Sequence, residues 1–135
     1  MTDEQLLAIL RESRTIAVVG CSPKIERPSH GVARYLQARG YRIVPVNPGQ
    51  REILGEQCFP DLATAAQHHT IDIVDVFRRS EFAGAIVDHA LPLLPRLIIL
   101  QLGVVDAAAS ERAAAAGVPF LMDHCLAIEH RRLGV

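Results

Sequence analysis

The sequence predicts an α/β chain, a three-layer sandwich on a mostly parallel, doubly wound sheet, and three observations predict it. Short apolar runs recur along the whole length, the segments between them have helical spacing and helix caps, and the runs themselves are apolar almost without alternation. Strands covered on both faces read in that way, whereas a sheet with one wet face alternates. Strands separated by helices further imply parallel pairing through right-handed crossovers.

The elements follow in order. Thr2 to Glu12 is predicted as an opening helix, with Thr2 and Gln5 at capping-box spacing and Leu6, Leu7 and Leu10 as its apolar stripe. The first strand ends at Val18 and Val19. Ser29 is the expected N-cap of a helix through Arg39, and Gly40 sits where a left-handed stop belongs. Ile43 to Val46 is the second strand, and Gln57 to Phe59 a short third. Asp61 caps the next helix, and Ile71 to Phe77 is strongly strand-like. Ser80 is expected to cap a helix from Glu81 to Leu91, which Pro92 and Pro95 close. Leu97 to Leu100 is a strand, Asp106 to Ala116 an alanine-rich helix, and Val118 to Met122 the last strand. The pattern is Rossmann-like, with no internal repeat and no linker, so the 135 residues are expected to form one domain.

In open sheets of this type, ligands bind beyond the carboxyl ends of the strands. Four unusual segments fall there: Gly20-Cys21-Ser22, Asn47-Pro48, Phe77-Arg78-Arg79 and Gln101-Leu102-Gly103. Gly20 would let the backbone approach a phosphate, with Lys24 and Arg27 supplying charge and Ser29 and the N–H groups after it closing the cradle. The same loop also reads as a tight turn with solvated charges. The Val46 carbonyl and Asn47 amide would meet a ribose or base edge, with Pro48 keeping the chain extended; Asn-Pro is equally an ordinary turn. Phe77 offers an apolar face and Arg78 and Arg79 guanidinium groups, or else a core ring and two exposed arginines. Gln101, at the end of an apolar strand, needs partners if buried, which a ligand or the Gly103 loop backbone would supply.

A dinucleotide fingerprint would place further glycines within about five residues of Gly20 and an acid about twenty residues on. The next glycine is Gly31, and the second strand runs into Asn47-Pro48. This disfavours NAD and favours a more heavily phosphorylated nucleotide.

Composition bounds the partners. A formal net charge of -1 gives no general attraction to nucleic acid, so any basic site is local. Cys21, Cys58 and Cys125 are odd in number and form no Cys-x-x-Cys pair, so free thiols in a reducing compartment are expected. The acidic Met1-Thr2-Asp3-Glu4 start and the lack of an apolar run of about eighteen residues suggest a cytoplasmic protein without membrane contact. Cys21 beside a helix start would be a nucleophile if its pKa were depressed, and otherwise a small buried thiol. Asp123-His124-Cys125 and Glu129-His130 match no tetrahedral zinc spacing and read as structural, and His68-His69 as solvated. No Ser-His-Asp, paired-carboxylate or P-loop constellation appears.

Taken together, the segments resemble the CoA-binding domain family, small stand-alone Rossmann-like proteins similar to the CoA-binding domain of the succinyl-CoA synthetase alpha subunit. The resemblance runs from about Ile16 to Leu133. It rests on Val19-Gly20-Cys21-Ser22-Pro23 with Arg27-Pro28-Ser29-His30-Gly31-Val32, Gly40-Tyr41 with Val44 to Pro48, Ile53-Leu54-Gly55, Asp72 to Arg79, Gln101 to Val104, and Cys125 with Glu129-His130. It implies coenzyme A or acyl-CoA as the ligand, with Gly20, Cys21 and Ser22 along the diphosphate. Lys24, Arg27 and Ser29 would lie near phosphates, and Asn47, Pro48, Phe77 and Arg78 around the adenosine. Ile99 departs from the family, whose members often carry tryptophan there. The ligase partner subunit and a phosphohistidine loop are absent, which favours binding without turnover, as a carrier, sensor or regulator. An enzyme acting on a CoA thioester and an NAD(H)-binding redox sensor are the alternatives, and a homodimer is the commonest default assembly.

Overall fold

The computed structural model describes residues 1–135. In chain order its elements are α1 (Asp3–Glu12), β1 (Thr15–Val19), α2 (Pro28–Ala38), β2 (Arg42–Val46), β3 (Glu52–Ile53), β4 (Glu56–Gln57), α3 (Leu62–His68), β5 (Ile73–Val76), α4 (Ser80–Ala90), β6 (Leu97–Leu100), α5 (Ala107–Ala115), β7 (Phe120–Leu121) and α6 (Leu126–Leu133). A 3-10 turn at Leu91–Leu93 follows α4. Five parallel strands form one sheet in the order β2-β1-β5-β6-β7. The fold is the expected three-layer α/β sandwich.

Near-continuous apolar strands are explained by what covers them. Ile16, Val18, Ile73, Leu97 and Ile99 face one layer, packed by Leu6 and Leu10 of α1, Ala33 and Leu36 of α2 and Leu126 of α6. Ala17, Val19, Val74, Val76, Ile98 and Leu100 face the other, against Leu62 of α3, Ala83 and Val87 of α4 and Ala109 of α5. Both faces of every central strand are therefore dry, which is why period-two alternation is missing from the sequence.

Several local expectations hold. Thr2 makes the capping box with Gln5, and the Asp61 and Asp106 side chains accept the Thr64 and Ala109 N–H groups. Others are corrected. Ser29 does not cap α2, since Pro28 opens that helix and the Ser29 hydroxyl accepts the Ser22 N–H at 2.9 Å. Ser80 does not cap α4, because its hydroxyl accepts the Val105 N–H at 3.0 Å. The expected third strand is not a member of the main sheet: Glu56–Gln57 pairs antiparallel with Glu52–Ile53, and Phe59 makes only an isolated bridge to Val46.

The chain does not end on the last strand, either. β7 is only Phe120–Leu121, and α6 follows it, packing on α1 and α2. No side chain caps α6, and its charged residues obscured its stripe; Leu126, Ala127 and His130 nonetheless face the core. The Tyr35 hydroxyl and His130 Nδ1 lie 3.0 Å apart, and Arg132 bridges Glu129 and Asp3. His68 is exposed, with its ring tilted against Phe59, and His69 is half-buried, edge-on to the same ring.

In the middle of β5 stands Asp75, wholly inaccessible, with neither carboxyl oxygen hydrogen-bonded. Burial pushes its pKa well above the ordinary carboxyl range. The folded chain therefore keeps this proton where the unfolded chain has released it, and stability falls as pH rises from the unfolded value near 3.8 toward the folded one. Asp75→Val should be more stable than the parent by about 1–3 kcal/mol at neutral pH, with the gap narrowing toward pH ~4. Urea unfolding at several pH values checks this, and equal stability at neutral pH would mean that burying the carboxyl carries no net cost.

Candidate ligand-binding site

Strand register sets the site. Val19 lies level with Val46 and Val76, and Val76 with Leu100, so the next residues, Gly20, Asn47, Phe77 and Gln101, emerge at one rim. The sheet order places β1 between β2 and β5, which makes the β1/β5 boundary the topological switch point where α/β folds open a crevice. A cleft of about 820 Å³ opens there. Three loops line it: Gly20, Ser22, Lys24, Arg27, Pro28 and Ser29 after β1; Phe77, Arg78, Arg79 and Ser80 after β5; and Gln101, Leu102, Gly103 and Val104 after β6.

Gly20 is where the loop turns. Its φ is +85°, and a Cβ there would stand 2.5 Å from the Phe77 carbonyl oxygen, so both conformation and space exclude a side chain. The Gly20 N–H donates to the Val46 carbonyl at 2.9 Å, holding the turn against β2. The loop beyond is built by serines. The Ser29 hydroxyl accepts the Ser22 N–H, the Ser22 hydroxyl accepts the Lys24 N–H at 3.1 Å, and His30 Nδ1 donates to the Ser22 carbonyl at 3.0 Å. Each serine oxygen is used as an acceptor, so each O–H hydrogen remains free to donate.

The electrostatics are one-sided. Lys24, Arg27 and Arg78 make no ion pair, and Arg79 makes one exposed contact of 3.3 Å with Glu81. The guanidinium groups of Arg78 and Arg79 lie 4.9 and 5.5 Å from the centre of the Phe82 ring. The helices that border the cleft, α2 and α4, begin without a side-chain cap, whereas α1, α3 and α5 are capped by Thr2, Asp61 and Asp106. Uncapped N-termini add positive potential to the cations.

A second cavity of about 180 Å³ shares Gly20 and Arg78 with the cleft. Val46, Pro48 and Ile86 form its apolar walls, and Asp61 and His89 also border it. Asn47 lines neither cavity. Its Nδ2 donates to the Cys21 carbonyl and its Oδ1 accepts the Gly49 N–H, both at 2.9 Å, so the side chain latches two loops together. Cys21 is sealed in the core, and burial, with smaller contributions from Cys58 and Asp75, pushes its thiol up to about 12. The helix after it starts only at Pro28, so no helix end is placed to depress that value. Gln101 is nine-tenths buried at the cleft floor.

The cleft also includes Pro28, Ser80, Leu102 and Val104, none of which the sequence had marked as a ligand contact. Adjacency to the rim motifs was the available signal. Asp123 and His124 serve the neighbouring turn: Asp123, at φ +59°, accepts the Gly103 N–H at 2.7 Å, and His124 Nδ1 donates to the Met122 carbonyl.

This arrangement is a Rossmann-like α/β sandwich with a cationic cleft at its switch point, and the comparisons specify the family. The model of the CoA binding domain matches residues 14–131, and the chain belongs to that family. The uncharacterized protein YneT of Bacillus subtilis (strain 168) is 36% identical over 126 residues, covering 93% of this chain and 92% of YneT. Among solved structures, cell-free ID.343 from Thermus thermophilus superposes with a TM-score of 0.92 at 38% identity, covering 98% of this chain and 99% of its own. A hypothetical protein from Pyrococcus horikoshii OT3 gives a TM-score of 0.93 at 33% identity, covering 100% and 94%.

Two outcomes test the geometry. Gly20→Ala should destabilise the fold by about 1–3 kcal/mol, the cost of backbone strain at such a position, read as a lowered denaturation midpoint. Cys21 should resist alkylation at neutral pH until the chain unfolds; labelling of native protein within minutes would show that the thiol is accessible and ionisable.

Proposed function

We propose that the chain binds coenzyme A or an acyl-CoA in this cleft and does not turn it over, acting as a carrier, sensor or regulator. One observation carries the reading: Lys24, Arg27 and Arg78, all without carboxylate partners, meet two uncapped helix starts on a single cleft at the switch point. Unpaired cations facing open backbone donors suit a polyphosphate. The diphosphate would lie along Gly20, Ser22 and Ser29, with Lys24 and Arg27 over it. The adenosine would enter the smaller cavity against Val46 and Pro48. Arg78 borders both cavities, which suits a ligand that carries a phosphate on its ribose as well as a diphosphate. The pantetheine arm would then leave across Phe77 toward Gln101 and Gly103.

NAD fits less well. The position after β2 that would hold its ribose is Asn47, whose side chain is engaged at both ends within the chain. Turnover through Cys21 is disfavoured by a thiol that is buried and hard to ionise.

Calorimetric titration with CoA, dephospho-CoA and NAD tests the reading, with CoA expected to bind tightest. Lys24→Ala and Arg27→Ala should each weaken CoA by about 1.5–3 kcal/mol, the scale of a charge-assisted hydrogen bond. Arg78→Ala should narrow the preference for CoA over dephospho-CoA. Equal weak binding of all three ligands by the parent protein would reject CoA as the ligand.

A further inference from the structure

Four side-chain atoms in the chain are both sealed from solvent and without a hydrogen bond, and three of them lie together: both Asp75 oxygens and Gln101 Oε1. Buried polar atoms are nearly always paired, so two such residues on adjacent strands demand a reason. Asp75 stands level with Ile99, and Gln101 is two residues further on, just past the end of β6, where its N–H still bonds the Val76 carbonyl. Residues two apart on a strand share a face, and the apolar neighbours Ile73, Leu97 and Ile99 place that face toward α1, α2 and α6. The diagonal between Asp75 and Gln101 is about 8 Å at Cα, within the combined reach of an aspartate and a glutamine side chain.

The chemistry of the two groups is complementary. No cation or N–H group touches Asp75, and a bare carboxylate without partners is too costly to bury, so the group is a carboxylic acid with an O–H to donate. Gln101 presents the opposite need. Its Oε1 is sealed and can only accept, while its Nε2 makes no bond within the chain, is not sealed, and belongs to a residue lining the cleft. The amide thus has its acceptor end sealed inside and its donor end unsealed, in a residue that lines the cleft.

We propose that Asp75 is a positioning residue of the candidate site: its carboxyl O–H bonds to Gln101 Oε1 and locks the amide with Nε2 in the cleft, so that Gln101 reads a carbonyl oxygen on the ligand's arm. This rests on the CoA reading of the cleft and deepens it. The ligand chemistry selected is an amide or thioester carbonyl, beyond the diphosphate and independent of the nucleotide. Lys24, Arg27 and Arg78 recognise phosphate; the Asp75–Gln101 pair recognises what the phosphates carry.

The test compares CoA with adenosine 3′-phosphate 5′-diphosphate, which keeps every phosphate but lacks the arm, by calorimetry on folded protein. Asp75→Val should weaken CoA by about five- to tenfold, the worth of one hydrogen bond, and leave the truncated nucleotide within about twofold. Asp75→Asn, whose amide N–H can donate the same bond, should retain CoA binding. Gln101→Leu should show the arm-specific loss, and Asp75→Val should add nothing to it, because the two residues act as a unit. Equal weakening of both ligands by Asp75→Val, unchanged CoA binding in that variant, failure of Asp75→Asn to rescue, or additive losses would each overturn the proposal. A parent protein that binds the truncated nucleotide as tightly as CoA would overturn it too, while leaving phosphate recognition standing. Binding of neither ligand would instead remove the CoA reading itself, and this inference with it.

Discussion

Where β1 leaves the sheet, its backbone passes so close to the Phe77 carbonyl that no side chain fits at Gly20. That close approach governs the whole carboxyl rim. It lets the β1 and β5 loops share one cleft, brings Arg78 beside the turn, and allows the Gly20 N–H to bond across to Val46. A side chain there would push the first and fifth strands' exits apart, and the cations on either side would no longer face one ligand.

Around that contact the chain uses its polar groups in an unequal way. α1, α3 and α5 are closed by the side chains of Thr2, Asp61 and Asp106, whereas the serines at the starts of α2 and α4 bond to neighbouring loops. The same hydroxyls therefore shape the rim and leave the helix starts open. Positive potential accumulates where carboxylates are scarce, although the chain as a whole has a formal net charge of -1. Local placement of charge, and not its total, sets the potential at the cleft.

Beneath the cleft the central sheet contains a buried acid where valine or isoleucine would pack better. Folding alone offers no reason for Asp75, since an apolar residue of that size would remove a desolvation cost. A group that lowers stability and stands on the strand beside the one that leads to the sealed Gln101 Oε1, which lines the cleft, belongs to function more than to architecture. The buried Cys21 thiol, by contrast, is packing: it fills the turn after Gly20 and is held in its neutral form.

The order of strands and helices, the burial of both sheet faces and the four rim motifs were legible in the sequence, because each depends on neighbours a few residues apart. Apolar runs mark strands, spacing of three and four marks helices, and glycine marks a tight turn wherever it falls. What a side chain bonds to over long range was not legible. Ser29 and Ser80 look like caps because nothing local distinguishes a capping serine from one engaged by a distant N–H, and nothing local shows that the Asn47 side chain joins Cys21 to Gly49. α6 escaped notice because its buried face becomes coherent only against α1 and α2. The pairing of Asp75 with Gln101 needed the register of β5 on β6, a relation that exists only once strands far apart in the chain lie side by side.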